Sequence, residues 1–214
     1  MQNNQLNVFS RRHFLTLSVL ATLGLWTPRL SYANVIRTIT GKVWINDVLA
    51  TPDTLIKPGD TIKTGSKSQI IFVINEDVYK LGAHSNLRLR YNPGNNRFVN
   101  AMRLFSGALM GVFGKGHRRV IQSPTATMGI RGTGLYLKVE PDSSYFCTCY
   151  GDTEIIRHTE TRHIQPISTT HHKAYSITHD VHHPQIFSDT MKYHTDEELY
   201  YLESLVGRKP PNLP

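Results

Sequence analysis

The sequence predicts an all-β body followed by one C-terminal amphipathic helix, and three observations carry that expectation. Short β-branched or alternating runs recur between residues 35 and 156, turn residues interrupt them about every 8–12 positions, and no helical period lies between them. The composition agrees: 39% hydrophobic and 19% charged residues suit a packed core rather than a disordered chain. Two cysteines in 214 residues cannot make a disulfide scaffold, so apolar burial must supply most of the stability.

Taken in chain order, the first element is a leader. Ser10-Arg11-Arg12-His13-Phe14-Leu15 opens a weakly apolar run over residues 14–26, and Pro28 and Ser31-Tyr32-Ala33 close it. A basic pair, a short apolar run and a small-residue exit describe a secretory signal of twin-arginine type, with cleavage expected after Ala33. The run of about 13 residues is shorter than the roughly 20 a membrane span needs. The expected product is a soluble periplasmic domain, not an integral membrane protein.

The strand candidates follow: Gly41-Lys42-Val43-Trp44-Ile45, Thr61-Ile62-Lys63, Gln69-Ile70-Ile71-Phe72-Val73-Ile74, Leu87-Arg88-Leu89-Arg90-Tyr91, Ala108-Leu109-Met110, Leu135-Tyr136-Leu137-Lys138-Val139 and Tyr145-Phe146-Cys147-Thr148-Cys149-Tyr150. Turn chemistry separates them at Pro58-Gly59-Asp60, Thr64-Gly65-Ser66, Asn92-Pro93-Gly94-Asn95-Asn96 and Ser106-Gly107. From His158 to His194 the chain becomes polar and histidine-rich, with at most one or two strands expected around Tyr175 and Ile177. Thr195-Asp196-Glu197-Glu198 then reads as a capping box, Leu199, Leu202, Leu205 and Val206 as an apolar stripe, and Gly207 with Pro210 and Pro211 as a stop. So short a helix is marginal alone and should dock its stripe on the β body.

Gly41-Lys42-Val43, Leu55, Pro58-Gly59-Asp60-Thr61-Ile62, Thr64-Gly65, Ser68, Leu81, Leu87, Leu104, Gly107, Ser123-Pro124-Thr125-Ala126 and Ile130-Arg131-Gly132-Thr133 stand in the order of a FecR-like domain, which this chain resembles over residues 41–156. The resemblance implies a non-catalytic periplasmic sensing module connected with iron or other metal signalling. It also suggests a short-stranded β-solenoid, and a sandwich-like arrangement fits the strand pattern equally. Regulators of that family place a cytoplasmic anti-sigma segment and a membrane span before the sensing domain, where this chain offers an export signal. The expected organisation is a leader over residues 1–33, a FecR-like β domain over 34–156, and a His-rich segment with the helix over 157–214. Gly59, Asp60, Thr64, Gly65, Gly107, Arg131, Gly132 and Thr133 are the signature positions, and their expected roles are structural. The glycines supply positive φ, Asp60 and Thr64 bond turn backbone, and Arg131 offers a guanidinium fork to neighbouring carbonyls or carboxylates. Asn75-Glu76-Asp77, which replaces the family's Asp-Gly-Ser turn, reads as neutral.

The chemistry concentrates late in the chain. Cys147 and Cys149 lie two apart in a strand candidate, so both sulfurs share one face. Two such thiolates can chelate a transition metal, and 8 of the 11 histidines follow within residues 158–194. Cys147, Cys149, His171 and His172 are the candidate ligands. The C-x-C spacing matches no standard zinc motif, and two buried small thiols or a local disulfide beside solvated histidines fit it as well. Gly114-Lys115-Gly116-His117-Arg118-Arg119 lacks the residues of a phosphate loop and reads as a basic hairpin turn. No local motif places a catalytic nucleophile, so no enzyme activity is expected.

The formal charge of +8 is unevenly spread. Residues 61–139 hold 12 basic and 2 acidic side chains, and residues 140–214 hold 6 and 11. An exported protein with an acidic tail able to neutralise its basic body is not a nucleic-acid binder. The expected partner is an envelope protein or an anionic ligand, with the acidic helix lying near the basic strands.

Overall fold

A computed structural model describes residues 34–91, 99–158, 164–180 and 185–210. The leader with Arg11, Arg12 and Ala33, the turn at Asn92–Asn96, and His163, His182, His183 and Pro211 lie outside the described residues. From residue 34 onward most of the described chain is strand. In order come β1 (Val35–Thr40), β2 (Val43–Ile45), β3 (Val48–Leu49), β4 (Thr61–Thr64), β5 (Gln69–Ile74), β6 (Asp77–Leu81) and β7 (Asn86–Tyr91). Then follow β8 (Val99–Val112), β9 (Arg118–Gln122), β10 (Ala126–Val139), β11 (Ser143–Arg157), β12 (Ile164–Thr169), β13 (Lys173–Thr178), β14 (Ile186–Asp189) and the helix α1 (Asp196–Ser204).

The strands form one open, 14-stranded sheet. The all-β class and the closing helix are as expected, but three strands are far longer than the spacing of turn residues suggested. Strands β8, β10 and β11 run 14, 14 and 15 residues. Each changes partner part-way. The first half of β8 pairs with β7, and its second half with β10 and β6. The first half of β10 pairs with β9. The first half of β11 pairs with β13 and the second with β12. A glycine of positive φ stands at each change, Gly107 (+81°), Gly132 (+59°) and Gly151 (+88°). A strand kinked there reads in sequence as two strands separated by a turn, which is why the turn signals divided what the backbone joins.

Alternation along the bent strands sorts side chains into two cores. Ile70, Phe72, Ile74, Leu109, Leu135, Leu137 and Phe146 point into the larger, together with Ile62, Leu87, Leu104, Ile155 and Ile177. Ile71, Val73, Met110, Val112, Tyr136, Tyr145, Cys147 and Cys149 point to the opposite face, which α1 covers with Leu199, Leu202 and Val206. The helix ends are built as the sequence predicts. The Thr195 hydroxyl accepts from the Glu198 N–H at 3.4 Å, and Glu198 Oε2 accepts from the Thr195 N–H at 3.1 Å. At the other end the N–H groups of Arg208 and Gly207 return to the carbonyls of Glu203 and Ser204, with Gly207 at φ +66°. Glu198 forms an ion pair with Lys80 of β6, so the acidic helix does meet the basic strands.

Two local expectations are corrected. The segment between His158 and His194 holds three strands among its described residues, β12, β13 and β14, because pairing of β12 and β13 with β11, and of β14 with β13, overrides their polar composition. The basic turn over residues 114–118 does not close a hairpin. The chain doubles back so that Val120, Ile121 and Gln122 lie parallel to Ala101, Met102 and Arg103.

Candidate metal centre

Strand β11 sets the floor of the site. Its alternation sends Cys147 and Cys149 to the helix-covered face, both fully buried, while Phe146 enters the larger core. The two cysteines are free thiols. After β12 the chain turns at His171 and His172, and the His172 N–H donates to the Cys149 carbonyl at 2.9 Å, which fixes that imidazole over the sulfurs. The fourth member, His194, comes from the segment leading into α1. Its ring stacks on Tyr136 at 4.7 Å between centroids, and Tyr145 ties the preceding chain by donating to the Thr190 carbonyl and accepting from the Lys192 N–H, both at 3.0 Å.

These four side chains converge. Cys147 Sγ lies 3.4 Å from His172 Nδ1, Cys149 Sγ 3.4 Å from His194 Nε2, and the two imidazole nitrogens 3.3 Å apart. All four donor atoms lie within 4.8 Å of one another. A tetrahedral ion with bonds of about 2.0–2.3 Å holds its donors roughly 3.3–3.8 Å apart, and these three separations suit such an ion. The cage is dry: His194 is 6% exposed and the His172 side chain 4%.

Hydrogen bonding outside the cluster fixes both imidazole tautomers. His194 Nδ1 faces the Lys192 carbonyl at 2.7 Å, an acceptor, so Nδ1–H donates and Nε2 turns a lone pair inward. His172 Nε2 faces Asp196 Oδ1 at 2.6 Å, so Nε2–H donates and Nδ1 turns inward when the ring is neutral. Two nitrogen lone pairs therefore point at two sulfurs and at each other. Without a cation the cluster holds itself together by protonation. The hydrogen bonds of Cys149, His172 and His194 pull the Cys147 thiol well below its ordinary value against the opposing effect of burial. Burial pushes Cys149 up. Burial would lower His172, but its bonds to Cys147 and Asp196 raise it instead. A thiolate beside an imidazolium is the form a metal ion replaces, since it needs deprotonated sulfur and neutral nitrogen.

Of the candidate ligands, Cys147, Cys149 and His172 come together. His171 stands outside the cage, its side chain 38% exposed and its Nε2 3.2 Å from Asp196 Oδ2. His194 takes the fourth place. The sequence signal for His194 was its position just before the capping box, on a segment the apolar stripe must carry to the sheet, but a separation of 45 residues from Cys149 hid the contact. Among the other histidines, His158 bonds the Pro124 carbonyl and Thr127, and His179 the Pro141 carbonyl.

Several of the positions that carry the resemblance make hydrogen bonds to backbone groups in the fold, and among the described residues the Arg131 side chain does not. Asp60 accepts from the Lys57 N–H and from Asn46, beside Gly59 at φ +100°. The Thr64 hydroxyl donates to the Gly82 carbonyl and accepts from the Ser85 N–H, and the Gly65 N–H donates to the Lys42 carbonyl. Thr133, beside Gly132, accepts from the Asp152 N–H. Arg131 is exposed, and among the described residues its guanidinium makes no ion pair. Arg119 is the residue that uses its fork. It donates Nε and Nη2 to Asp77 at 2.8 and 2.9 Å and Nη1 to the His117 carbonyl at 2.6 Å, with its side chain only 2% exposed. Asp77 is therefore not a neutral replacement in its turn, since it is the buried counter-ion of Arg119.

No family profile and no curated protein matches this sequence. The fold has relatives. Two crystal structures, at 1.65 and 2.50 Å resolution, of a protein from Parabacteroides distasonis ATCC 8503 described as a candidate anti-sigma factor match at TM-scores of 0.51 and 0.50, with 9% and 10% identity. In both, the match covers 62% of this chain and 60% of the other, so this chain spans less than two thirds of its neighbour's length. At such identity the likeness is one of fold. No helix among the described residues is long and apolar enough to cross a membrane.

Proposed function

We propose that this chain is a non-catalytic metal-binding module of the bacterial envelope, holding one transition-metal ion through Cys147, Cys149, His172 and His194. The observation that carries it is the orientation of the two imidazoles, whose inward lone pairs meet two sulfurs at tetrahedral spacing inside a dry cage. Two thiolates and two imidazoles suit a borderline-soft ion, zinc before others, and four protein ligands leave no open position for substrate activation. The site is thus one of structure or sensing. Export through the leader, the periplasmic location and a sensing role of FecR-like kind belong to the same proposal. The anti-sigma-factor-like fold neighbours are compatible with a regulatory module.

A second reading keeps the module but assigns it an anionic ligand or an envelope partner. It is favoured by a cleft of about 1480 Å³ bordered by Lys115, Arg131 and Lys209, beside Arg118 and Arg208, which are paired with Glu154 and Glu203 in the same lining. Metal content separates the two. Protein purified without chelator should carry about one equivalent of metal by elemental analysis, and its cobalt-substituted form should show the intense visible bands of a tetrahedral thiolate site. Metal-free protein that also fails to take up zinc or cobalt would leave only the second reading.

A further inference from the structure

Three of the cage donors stand on β11 and in the turn between β12 and β13, and the fourth is carried by the segment that delivers the helix. His194 immediately precedes Thr195, the N-cap of α1. Asp196, the first residue of the helix, bonds the outer nitrogen of His172 at 2.6 Å and that of His171 at 3.2 Å. The N-terminus of α1 is therefore tied to the donor set twice, once by a direct donor and once by a carboxylate that orients a donor on the other side. Downstream the helix has its own fastenings, Lys80 to Glu198, and Glu203 to Tyr150 and Arg208. Beneath it lie Val73, Val78, Met110 and Val112.

We infer that the metal ion is a latch for the C-terminal helix: occupancy of the cage holds α1 on the sheet, and loss of the ion frees its N-terminal end. This latch presupposes the metal centre proposed above. A four-donor cage exists only while His194 is in place, so an ion that binds the closed form more tightly than the open one suppresses opening, at saturation by the ratio of the two affinities, and by reciprocity a docked helix tightens metal binding. With free zinc at 100 times its Kd the open population falls by up to about 100-fold, the limit in which the three donors left on the open form hold no ion. Asp196 acts as a positioning residue. Losing an outer-sphere carboxylate costs on the order of 10–100-fold in metal affinity.

Hydrogen exchange on the full chain, read peptide by peptide with and without zinc, tests the latch. In chelator the amides of α1 should exchange faster than those of the β1 and β5 pair. Zinc at 100 times its Kd should slow the α1 amides by at least several-fold and up to about 100-fold. The variant His194→Phe keeps a ring against Tyr136 and removes the donor. Zinc held by its three remaining ligands, at the same multiple of its own Kd, should slow α1 exchange much less than in the natural chain, through the Asp196 bond to His172 alone. Asp196→Asn should bind zinc on the order of 10–100-fold more weakly while its α1 amides still respond once the cage is filled. Zinc that binds the natural chain without slowing α1 overturns the latch and leaves the metal centre standing, as does equal protection of α1 in His194→Phe. Failure of the natural chain to bind zinc removes both.

Discussion

Two of the polar clusters buried among the described residues solve the same problem in opposite ways. Around Arg119 every buried charge has its counterpart: Asp77 takes two of its N–H groups, backbone carbonyls of His117 and Gly114 take others, and Glu76 stands 3.5 Å away. Burial pushes the Asp77 carboxyl up, and the guanidinium with the Gly114 N–H pulls it back. That cluster is complete. Around Cys147 the same degree of burial encloses an excess of acceptors, with two sulfurs and two imidazole nitrogens separated by 3.3–3.4 Å and few protons to share. A closed ion pair is a structural device, whereas converging lone pairs in a dry cage invite a cation.

The contrast can be broken at either end. Asp77→Ala strands a buried guanidinium and should destabilise the domain by about 3–5 kcal/mol in urea unfolding, more than any change at the cysteine cage in metal-free protein. Replacing both partners, as in Asp77→Leu with Arg119→Met, should recover most of that loss. The next effect in size belongs to the cage. Adding chelator to protein held in zinc at 100 times its Kd should remove about 2.7 kcal/mol, seen as a lower thermal midpoint. Cys147→Ser should remove most of this chelator response at the same free zinc, and in chelator it should cost about 1–3 kcal/mol, because the buried His172 imidazole loses its sulfur partner. Equal behaviour of the two chains with zinc present would show that the cage holds no ion. Thr195→Ala removes the helix cap and should cost about 1 kcal/mol. Smallest of all, Lys80→Ala breaks the pair with Glu198 at a cost of about 0–1 kcal/mol, and added salt should erase even that.

Sequence patterning reached the all-β class, the helix with both of its ends, and three of the four cage donors, because each is written in local spacing. Period two placed Cys147 beside Cys149, and the box from Thr195 to Glu198 marked the helix start. What it missed was long-range. His171 and His172 are neighbours in sequence, but the turn gives only one of them to the cage, and only docking of the helix brings His194 to Cys149. Arg119 was hidden in a basic turn for the same reason, since its partner Asp77 lies 42 residues away. The kinks at Gly107, Gly132 and Gly151 misled in the other direction, making continuous strands read as short ones.

His194 lies 45 residues beyond Cys149, and His172 lies 25 beyond Cys147. During synthesis the two thiols are therefore made first, the third ligand follows a hairpin later, and the cage closes only after the chain has grown past residue 194. On the proposed metal reading, a nascent chain would offer an arriving ion two donors, then three, and four only at the end. Each added loop costs little entropy, since doubling its length adds only about 0.6 kcal/mol. Order of assembly, rather than the expense of closing a long loop, would then decide when an ion can be held firmly, and tight retention would mark a domain fully made and folded.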